Sequence, residues 1–473
     1  MAAAFTSHST LVMKFGGTSV GTPGAMAQVA SLIERYRQDW PHIVVVTSAL
    51  SGVTDTLLRT ARKAAQGEMV SLHQARADLE TRHRRVVEAL LPQGVQDPVW
   101  FVIQNRLDTF VRLVEAMAVL GEATPRGLDA VAALGERMSA PLLARVLEVR
   151  GLPAVAVDAG DLVVTDAHFQ AAHPLVEPTR QRIQQRLAPL LEEGRIPVVT
   201  GFLGATEDGV TTTLGRGGSD YSASLIASLL PADEVWIWTD VNGVMTADPR
   251  LVPEARTVPR LSYREVAELA YFGAKVLHPK AIRPVIEAGI PLRVRNTFDP
   301  DGPDTLILAR RDDAEPGRIM ALTVIRDLAM VIVEGRGMLG VPGVAARTFA
   351  AVAGTNTSVL MISQASSEQS ICFIVPQNTT RKVIAALEEA FQQELARKDI
   401  DRIWAMEPVA IITAVGEGLR NTPGVAGRLF GALGQAGVNI VAIAQGASEV
   451  ALSLVVNQDD VLAALQALHP LTG

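Results

Sequence analysis

In the last third of this chain one block is written twice, 81 residues apart. Pro342-Gly343-Val344-Ala345 returns as Pro423-Gly424-Val425-Ala426, Phe349 as Phe430, Gln364 as Gln445, Glu368 as Glu449 and Gln377 as Gln458, all at that spacing of 81. So many matches without a gap mean a duplicated unit. In each copy an apolar strand run (330–334, 410–415) leads into a helical pattern, two runs rich in β-branched residues and a second helical pattern. The second copy reaches Gly473 before its last strand. An apolar run at 319–325 has no place in this order, and it is expected to supply that strand from upstream and so interlock the two copies.

Upstream, short apolar runs at 43–46, 154–157, 197–201, 234–238 and 292–294 alternate with helical patterns. Such alternation predicts a mainly parallel sheet with helices on both faces and ligands bound beyond the carboxyl ends of its strands. Residues 56–120 differ, being rich in Arg, Glu, Ala and Leu with few turn residues, and predict two or three long helices that cover the sheet or contact a partner. At 473 residues, about three domains are expected on a prior of ~150 residues each. They are placed at 1–310, 318–408 and 409–473, across a charged, proline-bearing connection at 309–317.

Hydrophobic residues make up 48% and charged residues 20%, a balance that excludes a disordered chain. The net charge of −7 and the lack of a basic block argue against a nucleic-acid surface. No apolar stretch of about eighteen residues suggests a membrane span, and the first ten residues carry no secretory pattern. The single cysteine, Cys372, lies in a strand-like run and reads as a small core residue. A reducing cytoplasm is the expected setting.

Two glycine-rich turns stand out. The first, Lys14-Phe15-Gly16-Gly17-Thr18-Ser19, closes an apolar strand on a lysine and passes through hydroxyls to Pro23 and a helical pattern from about Ala25. The second, Gly215-Arg216-Gly217-Gly218-Ser219-Asp220, precedes a helix with Leu225, Ile226 and Leu229 on its apolar face, for which Ser219 or Asp220 is the expected cap. Outward amides, a positive helix end and a neighbouring cation suit phosphates. One such turn often serves only to reverse the chain, but two argue for nucleotide chemistry. No Gly-Lys dipeptide occurs, which excludes an ordinary P-loop. A third segment, Gly335-Arg336-Gly337-Met338-Leu339-Gly340, matches the dinucleotide fingerprint, yet no acidic residue closes the next strand and the repeat copy breaks its third glycine. It reads as a strand-to-helix turn.

Polar residues also gather at expected strand ends: Thr47, Ser48, Ser51 and Thr54, then Glu136, Thr239-Asp240, Asp248-Pro249-Arg250 and Lys275. Together they would line one edge of the sheet. A carboxylate substrate needs no general base, since its oxygen is already ionised at neutral pH. Catalysis then reduces to holding two anions in line and neutralising charge on the moving phosphoryl group, work for lysine, arginine, helix ends and a nucleotide-borne magnesium ion.

Lys14-Phe15-Gly16-Gly17-Thr18-Ser19, Gly215-Arg216-Gly217-Gly218-Ser219-Asp220, Trp238-Thr239-Asp240-Val241 and Phe272-Gly273-Ala274-Lys275-Val276-Leu277-His278-Pro279 resemble the signatures of aspartate kinases, in order and over essentially the whole chain. The resemblance implies an α/β amino-acid kinase fold, a mainly parallel sheet sandwiched by helices, followed by two ACT domains (βαββαβ) that bind amino-acid effectors. Ser363-Gln364-Ala365-Ser366-Ser367-Glu368 and Ile443-Ala444-Gln445-Gly446 are most similar to the kinase half of threonine-sensitive aspartokinase–homoserine dehydrogenases. No dehydrogenase region follows, so that second activity is not expected.

Carried over by position, the resemblance makes Lys14 and Asp220 catalytic. It assigns ATP, with magnesium held mainly through the phosphates, to Lys14, Gly16, Gly17, Ser19, Thr239, Asp240, Met245, Arg250, Lys275 and Val276. Aspartate falls to Ser48, Thr54, Glu136, Phe202, Arg216, Gly217, Gly218 and Ser219, with Glu136 facing the α-amino group and Arg216 the α-carboxylate; no protein metal ligands are assigned. Many relatives carry tyrosine where this chain has Met245, which removes one hydroxyl contact to the nucleotide. Gln364 and Gln445 would hold the effector, threonine or else lysine, and ACT pairing between chains implies a homo-oligomer. The implied activity is phosphorylation of the L-aspartate side-chain carboxylate, the first step toward lysine, threonine and methionine. Two other readings stay open from the residues: a kinase for another carboxylate such as N-acetylglutamate, and an amino-acid sensor with an inactive kinase domain.

Overall fold

A computed structural model describes residues 10–230, 232–273, 277–311, 315–338, 341–364, 369–445 and 448–473. The upstream strands are β1 (Thr10–Phe15), β2 (His42–Thr47), β3 (Ala154–Val157), β4 (Ile196–Thr200), the hairpin β5 (Leu203–Ala205) and β6 (Thr211–Thr213), β7 (Glu234–Thr239), β8 (Arg260–Ser262), β9 (Leu292–Asn296) and β10 (Thr305–Leu308). Eight of them form one sheet in the order β3-β4-β2-β1-β7-β9-β10-β8, and β5 pairs with β6 in a second. Within the large sheet every pairing is parallel except β9 with β10. The five apolar runs read from the sequence are β2, β3, β4, β7 and β9. The continuous burial of the central strands β2, β4 and β7 is what a parallel sheet covered on both faces imposes, whereas β3 and β9 are only partly covered.

The helices of this region are α1 (Gly17–Val20), α2 (Pro23–Tyr36), α3 (Val53–Ala65), α4 (Val70–Leu90), α5 (Gln96–Leu120), α6 (Pro125–Ala132), α7 (Leu134–Val149), α8 (Val176–Arg186), α9 (Ala188–Glu192), α10 (Gly218–Leu229), α11 (Tyr263–Tyr271) and α12 (Pro279–Ala288). Thr22 starts α2 by accepting the Ala25 N–H at 3.2 Å, with Pro23 inside the first turn where its missing N–H costs nothing. The arginine- and leucine-rich segment forms three helices, α3 to α5. Their Leu57, Leu79, Ile103 and Phe110 share a core with Leu11, Met13 and Phe15 of β1 and Val29 and Ile33 of α2. Val12 and Val44, which alternate with that set, are equally buried, and α10 lies against β1, β2 and β7.

The downstream strands, β11 (Ala321–Glu334), β12 (Met361–Gln364), β13 (Ser370–Pro376), β14 (Arg402–Val415), β15 (Ala442–Ala444) and β16 (Ala451–Asn457), form one antiparallel sheet in the order β12-β13-β11-β14-β16-β15. The repeat is explicit: α13 (Val344–Gly354) recurs as α16 (Val425–Gln435), and α14 (Thr380–Ala390) as α17 (Val461–Leu468), with α15 (Gln392–Arg397) between the copies. Each of β11 and β14 serves both copies. Residues 328–334 of β11 pair with β13, and 330–334 with 402–406 of β14, whereas 321–325 pair with 411–415 and stand as the last strand of the second copy. The upstream run thus interlocks the copies as expected. At the bend between the two halves, Asp327 has φ 58°, and its N–H and carboxylate are both engaged by the Gln458 amide at 2.7 and 3.2 Å.

Two compact units result, Met1–Val244 with Pro259–Tyr263 and Val276–Arg310, and Met245–Val258 with Arg264–Lys275 and Arg311–Gly473. In the second unit, Ala247 and Val252 bury against Leu322, Ile412 and Leu465, and the Thr246 hydroxyl bonds His469 Nε2 at 2.9 Å. The dinucleotide-like turn is a packing feature: a Cβ on Gly337 would sit 2.6 Å from Asp399 Cα. Gly340 lies outside the described residues.

Candidate active site

The site belongs to the first unit and starts from the carboxyl end of β1. Lys14 is the last polar side chain of that strand, and the chain then enters α1 with Gly16 as its N-cap. Glycine suits the next position because a Cβ on Gly17 would crowd the Ala49 carbonyl oxygen at 3.0 Å. The second turn leads into α10, and its cap is not the expected Ser219 or Asp220. Gly217 at φ 71° is the N-cap and no side chain caps the helix. A left-handed glycine reverses the chain by itself, so both polar residues fall in the first helical turn with their side chains free for other partners.

Those partners come from the first turn and its neighbours. Asp220 Oδ1 lies 2.6 Å from Lys14 Nζ, and the Ser48 hydroxyl donates to Ser219 Oγ at 3.0 Å. Ser139 of α7 in turn donates to the Ser48 carbonyl at 2.7 Å. The two glycine turns therefore meet around one cavity of about 500 Å³, lined by Lys14, Gly17, Ser48, Thr54, Glu136, Phe202, Arg216, Gly217, Gly218, Ser219 and Asp220, together with Thr18, Ser51 and Asp55. Gly218 leaves no room for a side chain, since its Cβ would come within 2.5 Å of Phe202 Cδ2. Phe202 itself holds a left-handed φ of 70°, a strained conformation of the kind that concentrates at functional sites.

Glu136 gives the cavity its sharpest electrostatic feature. It is 3% exposed; Oε1 accepts the Ala49 N–H at 3.1 Å, while Oε2 has no hydrogen-bond partner. Burial pushes its carboxyl up to about 8, only partly opposed by the Ala49 N–H and the Arg137 charge. A buried carboxyl with one oxygen left unsatisfied carries a desolvation cost that a donor or a cation placed beside it would relieve. Arg216, by contrast, is exposed, and no carboxylate among the described residues pairs with it.

The remaining assigned residues are placed unevenly. Gly16 donates its N–H to the Trp238 carbonyl at 3.3 Å, which sets it beside Thr239 and Asp240 at the end of β7; neither of those two lines the cavity. Ser19 does not line the cavity: it is fully buried and its hydroxyl bonds Thr297 Oγ1 at 2.7 Å. That places it under the turn as an internal strut. Met245 and Arg250 lie in the second unit, where Met245 Sδ accepts from Thr257 at 3.7 Å and Arg250 pairs with Asp248 at 2.6 Å. Lys275 and Val276 lie outside the described residues. Gln364 ends β12 and Gln445 follows β15, both exposed and at matching positions of the repeat.

Sequence reasoning passed over Asp129 and Arg137. Arg137 pairs with Asp158 at 2.6 Å and reaches the Thr211 hydroxyl. Asp129 is a charged residue within the apolar face of α6, beside Leu128 and Val131, and that misfit was the available signal.

Residues 9–296 match the amino acid kinase family, and residues 331–391 and 412–470 each match an ACT domain. The bifunctional aspartokinase/homoserine dehydrogenase 1 of Arabidopsis thaliana is 37% identical over 98% of this chain and 51% of its own length, so the chain spans about half the length of such relatives. Aspartokinase 1 of the same plant, a chloroplastic protein, is 34% identical over 97% of this chain and 79% of its own. Two crystal structures of E. coli aspartokinase III, one with aspartate and ADP and one with lysine and aspartate, superpose with TM-scores of 0.79 and 0.78 at 31% identity, covering 98% of this chain and 99% of theirs. Among the described residues no helix is long and apolar enough to cross a membrane. The chain belongs to the amino acid kinase family and, within it, to the aspartokinases.

Proposed function

We propose that this chain transfers the γ-phosphoryl group of ATP to the side-chain carboxylate of L-aspartate, giving 4-phospho-L-aspartate and ADP. The observation that carries this reading is the single cavity holding Lys14, Arg216 and the half-satisfied Glu136. A small amino acid with two carboxylates matches that set. Its ammonium meets Glu136 Oε2 and restores the ionised carboxylate, its α-carboxylate meets Arg216, and Thr54, Ser48, Ser219 and the Phe202–Gly218 wall define its length. The other carboxylate then points toward Lys14.

The chemistry is a direct displacement. A carboxylate oxygen forms the new bond to the γ-phosphorus while the bond to the β–γ bridging oxygen breaks, ADP leaves, and no proton passes through the protein. Lys14 neutralises charge on the moving group, and Asp220 at 2.6 Å holds its ammonium in place. Magnesium enters with the nucleotide as part of the substrate, bound through the phosphates. The α1 amides and the β7 end with Thr239 and Asp240 border the nucleotide.

The duplicated unit binds an amino-acid effector through Gln364 and Gln445, threonine in the reading we favour, and pairs between copies as a homo-oligomer. Lysine is the second reading, favoured by the lysine complex of the E. coli relative.

The test is ADP release with ATP and candidate acceptors, with hydroxylamine trapping of the acyl phosphate. L-Aspartate supports turnover and N-acetyl-aspartate, which lacks the ammonium, does not; equal use of both would remove the argument from Glu136. Threonine and lysine added in turn identify the effector by which one depresses the rate.

A further inference from the structure

We propose that Asp129 is a positioning residue that sets where Arg216 stands, and through it the grip on the substrate's α-carboxylate. This rests on the reading of Arg216 given above. Asp129 is 1% exposed, and both of its oxygens are in use. Oδ1 accepts the Thr213 hydroxyl at 2.7 Å, while Oδ2 accepts the Thr213 N–H at 3.0 Å and the Gln170 N–H at 2.9 Å. One carboxylate from α6 thus ties two chain segments that are remote from each other in sequence.

Both segments end at the base of the arginine turn. Thr213 is two residues ahead of Gly215, and its carbonyl accepts the Ala172 N–H at 2.9 Å, closing the tie from the other side. Gln170 has a left-handed φ of 70°, and its carbonyl oxygen lies 2.9 Å from where a Cβ on Gly215, itself at φ 78°, would stand. Left-handed Gln170 therefore lies so close to Gly215 that only a glycine fits there, and the Asp129 carboxylate holds Gln170 on one side of this approach and Thr213 on the other. Arg216 has no carboxylate partner of its own among the described residues, so its location is inherited from the turn that carries it. Burial raises the proton affinity of Asp129, a desolvation cost that its three accepted hydrogen bonds offset only in part.

The alternative is a structural residue whose loss loosens the whole unit. Asp129→Asn, which keeps the volume but accepts at one oxygen only, and Thr213→Val, which removes only the hydroxyl, separate the two. The clamp predicts that Asp129→Asn raises KM for aspartate about tenfold and Thr213→Val about threefold, with kcat and KM for ATP nearly unchanged. It also predicts faster tryptic cleavage after Arg216 in both variants, with the other tryptic sites cut at the original rate. Aspartate KM and Arg216 cleavage both within twofold of the unaltered protein would overturn the proposal, as would a parallel rise in both KM values with cleavage accelerated everywhere. Selective cleavage after Arg216 in a protein that does not turn over aspartate at all would uphold the clamp and reject the substrate reading.

Discussion

The two glycine turns share a composition and do different work. In the turn after β1, the glycines let the backbone pass close to Ala49, Ser19 is consumed as an internal strut to Thr297, and only Lys14, Thr18 and the backbone reach the cavity. In the turn before α10, left-handed Gly217 caps the helix without help, and Arg216, Ser219 and Asp220 all reach the cavity as side chains. The first turn is a backbone cradle with one cation, the second a platform for side-chain recognition. That division suits a reaction in which one anion is a phosphate chain, gripped by amides, and the other a small metabolite, identified by its charges.

The largest expected effect separates the turns by chemistry against recognition. Lys14→Ala should lower kcat about 10³-fold, the scale for removing one preorganised charge at a phosphoryl transfer, while aspartate binding measured by calorimetry stays close to the original. Retained turnover would move the catalytic charge elsewhere. Next comes Arg216→Ala, for which kcat/KM for aspartate should fall about 100-fold through KM, leaving KM for ATP unmoved; a matching rise in KM for ATP would mean the second turn also grips phosphate.

The pH profile sharpens the recognition side. Glu136 must ionise to meet an ammonium, and its carboxyl stands near 8 in the free protein, so kcat/KM for aspartate should climb with pH up to about 8. In Glu136→Gln the climb disappears together with most of the affinity. Stability moves in the opposite sense, because the fold binds this proton more tightly than the unfolded chain, whose value is 4.5. The Glu136 contribution is complete below 4.5 and is lost as pH rises toward 8, a slope absent from the melting temperatures of Glu136→Gln.

The smallest effect is the most direct test of the contrast between the turns. Ser19→Ala should cost about 1 kcal/mol of stability, the loss of one buried hydrogen bond, and leave kcat and KM for ATP within about twofold. A large rise in KM for ATP would place the Ser19 hydroxyl on the nucleotide and erase the distinction drawn here.

The sequence by itself determined what local pattern and periodicity can carry. Apolar runs alternating with amphipathic helices announce a parallel sheet, the spacing of 81 announces the duplication, and the motifs name Lys14, Glu136, Arg216 and Asp220 as residues to watch. Only the tertiary structure decided what those residues do together. Lys14 and Asp220 come within 2.6 Å because α10 packs against β1 on the face of a sheet whose strand order is not the chain order. Ser19 turns inward and Asp129 engages Gln170 and Thr213 for the same reason: which hydroxyl or carboxylate is buried, and beside what, depends on partners 41 to 278 residues away along the chain. Residues 321–325 complete the second copy, as the unplaced apolar run leads one to expect, but their register against 411–415 of β14 is settled only by the hydrogen bonds between the strands. Local propensity is set by neighbours along the chain, whereas burial and pairing are set by neighbours in space.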